Sequence, residues 1–183
     1  MAPAQDLATP VTSESGIVPE KARDGIDLEI NGEHFRHTGD PQMPLLWYLR
    51  DVLRLTGTKY AGMHGETGAD LVLLNGKMVS AVTQPMAKLA GKSVVTVEGL
   101  AANDGSLHPV QQAFIDEDAI GCGYCTPGWL IAAVDLLTRK PKPGDGDLDQ
   151  LPNLCRCGCQ TRVRRAIKRV AASCRCWPPA PAC

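Results

Sequence analysis

All eight cysteines of the chain fall after residue 121, and four of them form two close pairs: Cys122 and Cys125 in "GCGYCTPGWL", Cys155 and Cys157 in "NLCRCGCQTR". A disulfide framework usually knits a whole small domain together, whereas here the first 121 residues contain no thiol. C-x-x-C and C-x-C pairs are the spacing of metal ligands instead. Each pair stands immediately before a helical pattern, and a helix N-terminus supplies unpaired N–H groups and a positive dipole end. Four thiolates placed there can both ligate a [2Fe-2S] cluster and stabilise its negative charge. Structural zinc also takes four cysteines, and buried thiols or disulfides need no metal, so spacing leaves cluster, zinc and no metal as competing readings.

The pattern along the 183 residues predicts an α+β chain in two structured parts. Residues 1–24, rich in Pro, Ser, Thr and charge, are expected to form a disordered or partner-wrapping arm. "IDLEINGEHFRH" and "DLVLLNGKMVSAV" are apolar runs around Asn31-Gly32 and Asn75-Gly76, each a hairpin signal. Between them "MPLLWYLRDVLRL" carries Leu45, Leu46, Leu49, Val52 and Leu53 at helical spacing, with Pro44 suited to a first turn. "KSVVTVEGL" predicts a further strand, so residues 25–102 fit a small β-grasp unit. After the polar break "AANDGSLHP" the strand signals stop. Residues 103–172 predict four helices: "PVQQAFIDEDAI", the apolar "TPGWLIAAVDLLTR", "DLDQL", and "QTRVRRAIKRVAA" with Val163, Ala166, Ile167 and Val170 on one stripe. Residues 173–183 are a Cys- and Pro-rich tail.

Net charge is −1, so nothing global points to nucleic acid. The charge is unevenly spread: from Leu151 onward there are seven Lys or Arg and no Asp or Glu. The basic stripe Arg162, Arg164, Arg165, Lys168 and Arg169 fits either an acidic surface on a partner or a solvated helix face. No apolar run approaches the roughly 18 to 20 residues that span a bilayer. The start has no basic n-region, apolar h-region or twin arginine, so the expected place is the cytoplasm, or the periplasm if the chain is exported on a partner. There is no P-loop, dinucleotide fingerprint, Ser–His–Asp arrangement or catalytic carboxylate pair, so turnover is expected from a partner.

"HPVQQAFIDEDAIGCGYCTPGWLIAA", "NLCRCG" and an Arg-rich last helix, preceded in order by "LLWYLRDVLRLTGTKY", "NGKMVSAVT" and "VTVEGL", resemble the small iron–sulfur subunit of the xanthine dehydrogenase family of molybdenum hydroxylases over about residues 26–170. The resemblance implies an electron-transfer subunit with a β-grasp, plant-ferredoxin-like domain and a four-helix domain, in a heteromeric oxidoreductase. It implies that Cys122, Cys125, Cys155 and Cys157 ligate a [2Fe-2S] cluster and that Cys157 lies against a molybdopterin cofactor. That cofactor belongs to a large partner subunit, which oxidises an aldehyde or N-heterocycle; the electrons pass to a flavin, cytochrome or iron–sulfur subunit. A structural or assembly subunit, holding zinc or no metal, is the alternative.

The family's other cluster uses a C-x4-C-x2-C…C pattern. Carried onto "KYAGMHGETGADLV" and the following hairpin, it falls on Gly62, Thr67, Asp70 and Val82, none of them a cysteine. The β-grasp part is therefore expected to persist as a scaffold without a cluster. The family commonly has Gln before C-G-[YF]-C, where its side chain bonds the pterin; here the residue is Gly121. Cys159, Cys174, Cys176 and Cys183 are four further thiols, so a second metal site is conceivable, with free thiols the plainer expectation. His34, His37, His64 and His108 stand in no metal pattern; His108 is expected to start a helix and His64 to face solvent. Trp47 and Trp129 are expected to pack, and Trp177 to anchor the tail.

Overall fold

The computed structural model describes residues 25–173. The N-terminal arm, Cys174, Cys176, Cys183 and Trp177 lie outside the described residues. Five strands form one mixed sheet: β1 (Ile26–Ile30), β2 (Glu33–His37), β3 (Leu71–Leu74), β4 (Lys77–Ser80) and β5 (Ser93–Val95), in the order β2-β1-β5-β3-β4. Both predicted hairpins form. Their Asn-Gly turns take positive φ at both residues, 53° and 83° at Asn31-Gly32 and 49° and 77° at Asn75-Gly76. That left-handed pair matches the twist of two-residue hairpins. β5 then inserts between the hairpins, parallel to β1 and antiparallel to β3.

Two predicted elements are shorter than their apolar patterns. The first helix is α1 (Leu45–Trp47), followed by one wider π turn over Tyr48–Val52, rather than a helix through Leu55. The chain leaves it because Arg54 adopts φ 60°, and the Leu55 N–H returns to the Leu49 carbonyl at 2.8 Å. Leu55 thus remains apolar and inward without being helical. In "SVVTVEGL" the strand ends at Val95, since the Asn31 side chain takes the Thr96 N–H at 2.8 Å and donates to its hydroxyl at 3.0 Å. Residues Val97–Leu100 then form a tight 3-10 turn.

The helices are α2 (Pro109–Asp116), α3 (Thr126–Arg139), α4 (Asp145–Asp149) and α5 (Gln160–Ser173). His108 caps α2: its Nδ1 accepts from the Val110 N–H at 3.3 Å, and Gln111 Oε1 accepts the His108 N–H at 2.9 Å. Two satisfied N–H groups explain why this helix starts where its proline allows. α3 is buried continuously from Gly128 to Leu137 and forms the centre of the helical layer.

Strand alternation joins the sheet to both layers. Val72 faces Leu28, Ile30, Val94, Leu45, Leu46 and Leu49, while Leu71 and Leu73 face the core built around Ile131, Leu137 and Ile167. A strand buried on both faces shows the continuous apolar run "LVLL" rather than an alternating one. The outer edge of the sheet is closed by Asp135 of α3, only 3% exposed, which accepts the Met78 N–H at 3.2 Å and pairs with Arg139 at 2.6 Å. A buried acceptor there occupies an N–H that an edge strand would otherwise present.

The basic stripe of α5 meets acids of its own chain. Arg162 pairs with Asp118, Arg164 with Asp149 and Asp145, Arg165 with Glu117 at 3.1 Å, Lys168 with Asp145 at 2.5 Å, and Arg169 with Asp116 at 3.2 Å and Glu117 at 3.1 Å. These acids belong to α4 and to α2 and the turn that follows it, so the complement was invisible within the α5 sequence itself. No helix of the described residues is long and apolar enough to cross a membrane.

Candidate cluster site

Two loops carry the four thiols. Cys122-Gly123-Tyr124-Cys125 leads into α3, and Cys155-Arg156-Cys157-Gly158-Cys159 leads into α5. Each loop turns at a glycine in the left-handed region, Gly123 at φ 81° and Gly158 at φ 75°. Such φ values favour glycine, and they let consecutive N–H groups fold over a common point.

The structure pairs the four predicted ligands two by two across the loops. Cys122 shares a side-chain hydrogen bond with Cys157, and Cys125 with Cys155. Among the described residues, no three His, Cys, Asp or Glu side chains gather as a single ion requires; the thiols are grouped as two pairs instead. Cys122 and Cys157 are exposed, Cys125 is half-buried and Cys155 is buried.

Each pair holds one thiol below its ordinary value and one above. The Tyr124 N–H lowers Cys122, helped by the Cys157 side chain. Burial pushes Cys125 up to about 12, reinforced by the hydrogen bond and charge of Cys155. Burial also works against ionising Cys155, but the Cys159 N–H, the Cys125 side chain and the Cys157 N–H outweigh it, so that thiol is lowered. At Cys157 the Cys122 N–H favours the thiolate, while the hydrogen bond and charge of the Cys122 sulfur push the thiol up, and the net shift is upward. The Cys159 N–H reaches Cys155 Sγ at 3.4 Å.

This donor set fits a [2Fe-2S] cluster: two cross-loop thiol pairs, one partly exposed edge, and backbone N–H groups directed at three of the sulfurs. The N–H donors come from the loops as much as from helix ends, a correction to the expectation that both pairs sit directly on helix N-termini. Only Cys125 occupies an N-cap, that of α3; Gly158 and Cys159 separate the second pair from α5.

The four positions without cysteines lie in and beside a loop closed by side-chain hydrogen bonds. Asp70 is 2% exposed, and its Oδ2 accepts from Ser80 Oγ at 2.5 Å and from the Val82 N–H at 3.1 Å. Two of the family's ligand positions, Asp70 and Val82, are therefore joined directly to each other. Thr67 Oγ1 donates to the Ala61 carbonyl at 3.0 Å, closing the tip, and Gly62 takes φ 124°. His64 is exposed, as expected.

Several residues near the thiols could not be placed from sequence. Cys159 is 2% exposed, beside the paired thiols, with Arg162 Nη2 at 3.5 Å from its sulfur. A Cβ at Gly121 would sit 2.8 Å from Cys157 Cβ and 2.9 Å from Cys159 Sγ, so the space for a larger residue there is already filled. Asn153 is buried, and its Nδ2 donates to the Gly68 carbonyl at 2.7 Å. Tyr124, between two ligands, donates its hydroxyl to the Tyr60 carbonyl. The signals for these contacts were the left-handed Gly68 and the polar residue set into an apolar approach to Cys155, and neither names a partner from sequence alone.

The chain matches a family model described as "[2Fe-2S] binding domain" over residues 96–168. It is 42% identical over 148 residues to one of the subunits of nicotinate dehydrogenase from Pseudomonas putida, covering 80% of this chain and 94% of that one. It is 34% identical over 151 residues to the small FeS subunit of nicotinate dehydrogenase from Eubacterium barkeri, covering 81% and 96%. Among solved structures, the aldehyde oxidoreductase of Desulfovibrio desulfuricans superposes with a TM-score of 0.76 at 36% identity over 81% of this chain, which spans 17% of that longer chain. A chain of quinoline 2-oxidoreductase from Pseudomonas putida superposes at 0.70 with 31% identity, covering 81% and 95%.

Proposed function

The chain belongs to the small iron–sulfur subunits of the molybdenum hydroxylase family that includes xanthine dehydrogenase, and from that premise we propose that it carries electrons through one [2Fe-2S] site formed by Cys122, Cys125, Cys155 and Cys157. The observation that carries the proposal is the cross-loop pairing of those thiols. A cluster bound there would supply reversible one-electron storage. The chain's own contribution is to hold four sulfurs, direct N–H groups at them, and shield Cys155 within the helical core.

The proposed partner is a large molybdopterin-binding subunit, with Cys157, at the exposed edge, against the pterin. Substrate oxidation belongs to that partner. A division into a sheet part over 25–102, without a cluster, and a helical part over 103–172, with one, is supported by all five described strands preceding residue 103 and helices α2 to α5 following it. With Gly62, Thr67, Asp70 and Val82 unable to supply thiolates, no second relay stands in the sheet part. The electron acceptor, a cytochrome, flavin or iron–sulfur protein, would then approach the helical part itself.

The test is anaerobic addition of the partner's substrate to the purified complex, followed by visible absorption. Bleaching of the iron–sulfur bands, and their recovery with an added acceptor, is the expected result. A complex that turns over substrate while those bands stay oxidised would remove the electron-transfer role and leave a structural one.

A further inference from the structure

Segment 59–70 raises a question that the loss of its thiols does not answer: why a loop freed of iron remains so closely tied down. Its outward contacts converge on the two loops that bear the other thiols. The Thr67 carbonyl accepts the Leu154 N–H at 3.0 Å, and the Gly68 carbonyl accepts Asn153 Nδ2 at 2.7 Å, both immediately before Cys155. The Tyr60 carbonyl accepts the hydroxyl of Tyr124, which lies between Cys122 and Cys125.

The backbone is pressed in from the same side. Gly128, in the first turn of α3, leaves no room for a Cβ against the Gly68 carbonyl, and a Cβ on Gly68 would lie 2.6 Å from Asn153 Nδ2. Gly68 is also at φ 63°, a conformation glycine adopts without strain. At its far end the segment is anchored by Asp70 to Ser80 and Val82. Asn153 Oδ1 has no partner among the described residues. A buried amide with an unpaired oxygen is a poor choice for packing alone, so its value lies in the one bond its nitrogen makes.

We propose that segment 59–70, in place of holding iron, is a positioning clamp for the thiol site, gripping one ligand loop through Asn153 and Leu154 and the other through Tyr124. The clamp rests on the reading that the four thiols hold a [2Fe-2S] cluster. The two loops meet through their thiol pairs, the Cys122 N–H and the close approach of Gly121 to Cys157 and Cys159, and this segment adds a third element that touches both. Asn153 and Tyr124 are positioning residues, acting on the sulfurs through the backbone that carries them.

The test uses the assembled complex with Asn153→Ala and, separately, Tyr124→Phe, an exposed hydroxyl deletion that leaves the core intact. Iron release to a ferrous chelator after dithionite reduction, the EPR line shape and the reduction midpoint are read on each. Asn153→Ala is expected to release iron about fivefold faster, the effect of losing one hydrogen bond of ordinary strength, with a shifted midpoint and broadened lines. Tyr124→Phe is expected to change release in the same direction by about twofold or more. Asn31→Ala cuts comparable bonds to Thr96 at the first hairpin and is expected to leave all three readouts unchanged. Unchanged release, line shape and midpoint in Asn153→Ala overturn the clamp. If that variant does not assemble, unchanged readouts in Tyr124→Phe overturn it. Unsubstituted complex without iron removes the cluster reading and the clamp together, whereas iron-loaded complex with indifferent variants removes the clamp alone.

Discussion

The segment around 62–82 and the loops at 122–125 and 155–159 are the two places where the resemblance implies cysteines around iron, and here they are closed by different means. At the second site four thiols face one another across two loops, with N–H groups directed at the sulfurs. At the first, a buried carboxylate takes the Ser80 hydroxyl and the Val82 N–H, and Thr67 ties the tip to Ala61. A hydrogen-bonded latch thus holds a loop in place where none of the four positions is a cysteine. The segment beside the sheet is held by hydrogen bonds and has no thiols, whereas the loops ahead of α3 and α5 carry the four paired ones.

The largest expected effect separates the two sites outright. Cys155→Ala removes a proposed ligand and leaves Cys125 without its partner, and should reduce iron from the proposed two per chain to near none, read by metal analysis. Asp70→Ala leaves a buried N–H and a hydroxyl unpaired and should lower the stability of the chain by about 3 kcal/mol, read as a lower urea midpoint. Stability unchanged by Asp70→Ala would mean that the latch does not hold the loop.

Smaller effects sharpen the contrast from the helical side. His108 is pushed below the ordinary histidine value by burial, and its neutral Nδ1 accepts from Val110. The sign follows: a folded state that disfavours the proton keeps its full stability above about pH 6.5 and loses it as pH falls toward the depressed folded value. His108→Ala should cost about 1 kcal/mol at pH 7.5 and flatten that acid-side loss, measured by thermal unfolding across pH. Arg164→Ala should cost less than about 1 kcal/mol, because its pairs with Asp149 and Asp145 are largely exposed. It should also leave assembly with the large subunit unchanged, since the stripe is occupied by acids of its own chain; lost assembly would restore a docking role.

Much of this was legible in the sequence because it depends on local chemistry. Asn-Gly pairs fix their own backbone, so both hairpins were predictable, and the stripe of Val163, Ala166, Ile167 and Val170 showed which face of α5 is buried. The cross-loop pairing of the four thiols was foreshadowed by their type and spacing. What was not legible depends on contacts between distant segments. β5 inserts between two hairpins through pairings that no spacing encodes, and the helical pattern that runs to Leu53 stops at Val52, where the chain turns out through Arg54. Asp70 could be recognised as a position without a thiol, but its grip on Ser80 and Val82 spans 10 and 12 residues of chain. Asn153 lies 85 residues from Gly68.

The most direct test of the central claim is iron, sulfide and zinc analysis of the anaerobically purified complex, normalised to this chain, with EPR of the reduced sample. The partner's own metals are counted separately by molybdenum and cofactor analysis. Two irons and two sulfides per chain with a single rhombic signal is the predicted result. Four irons with two signals would contradict a sheet part without a cluster unless thiols elsewhere in the chain hold the second, and zinc without iron would contradict the electron-transfer account altogether.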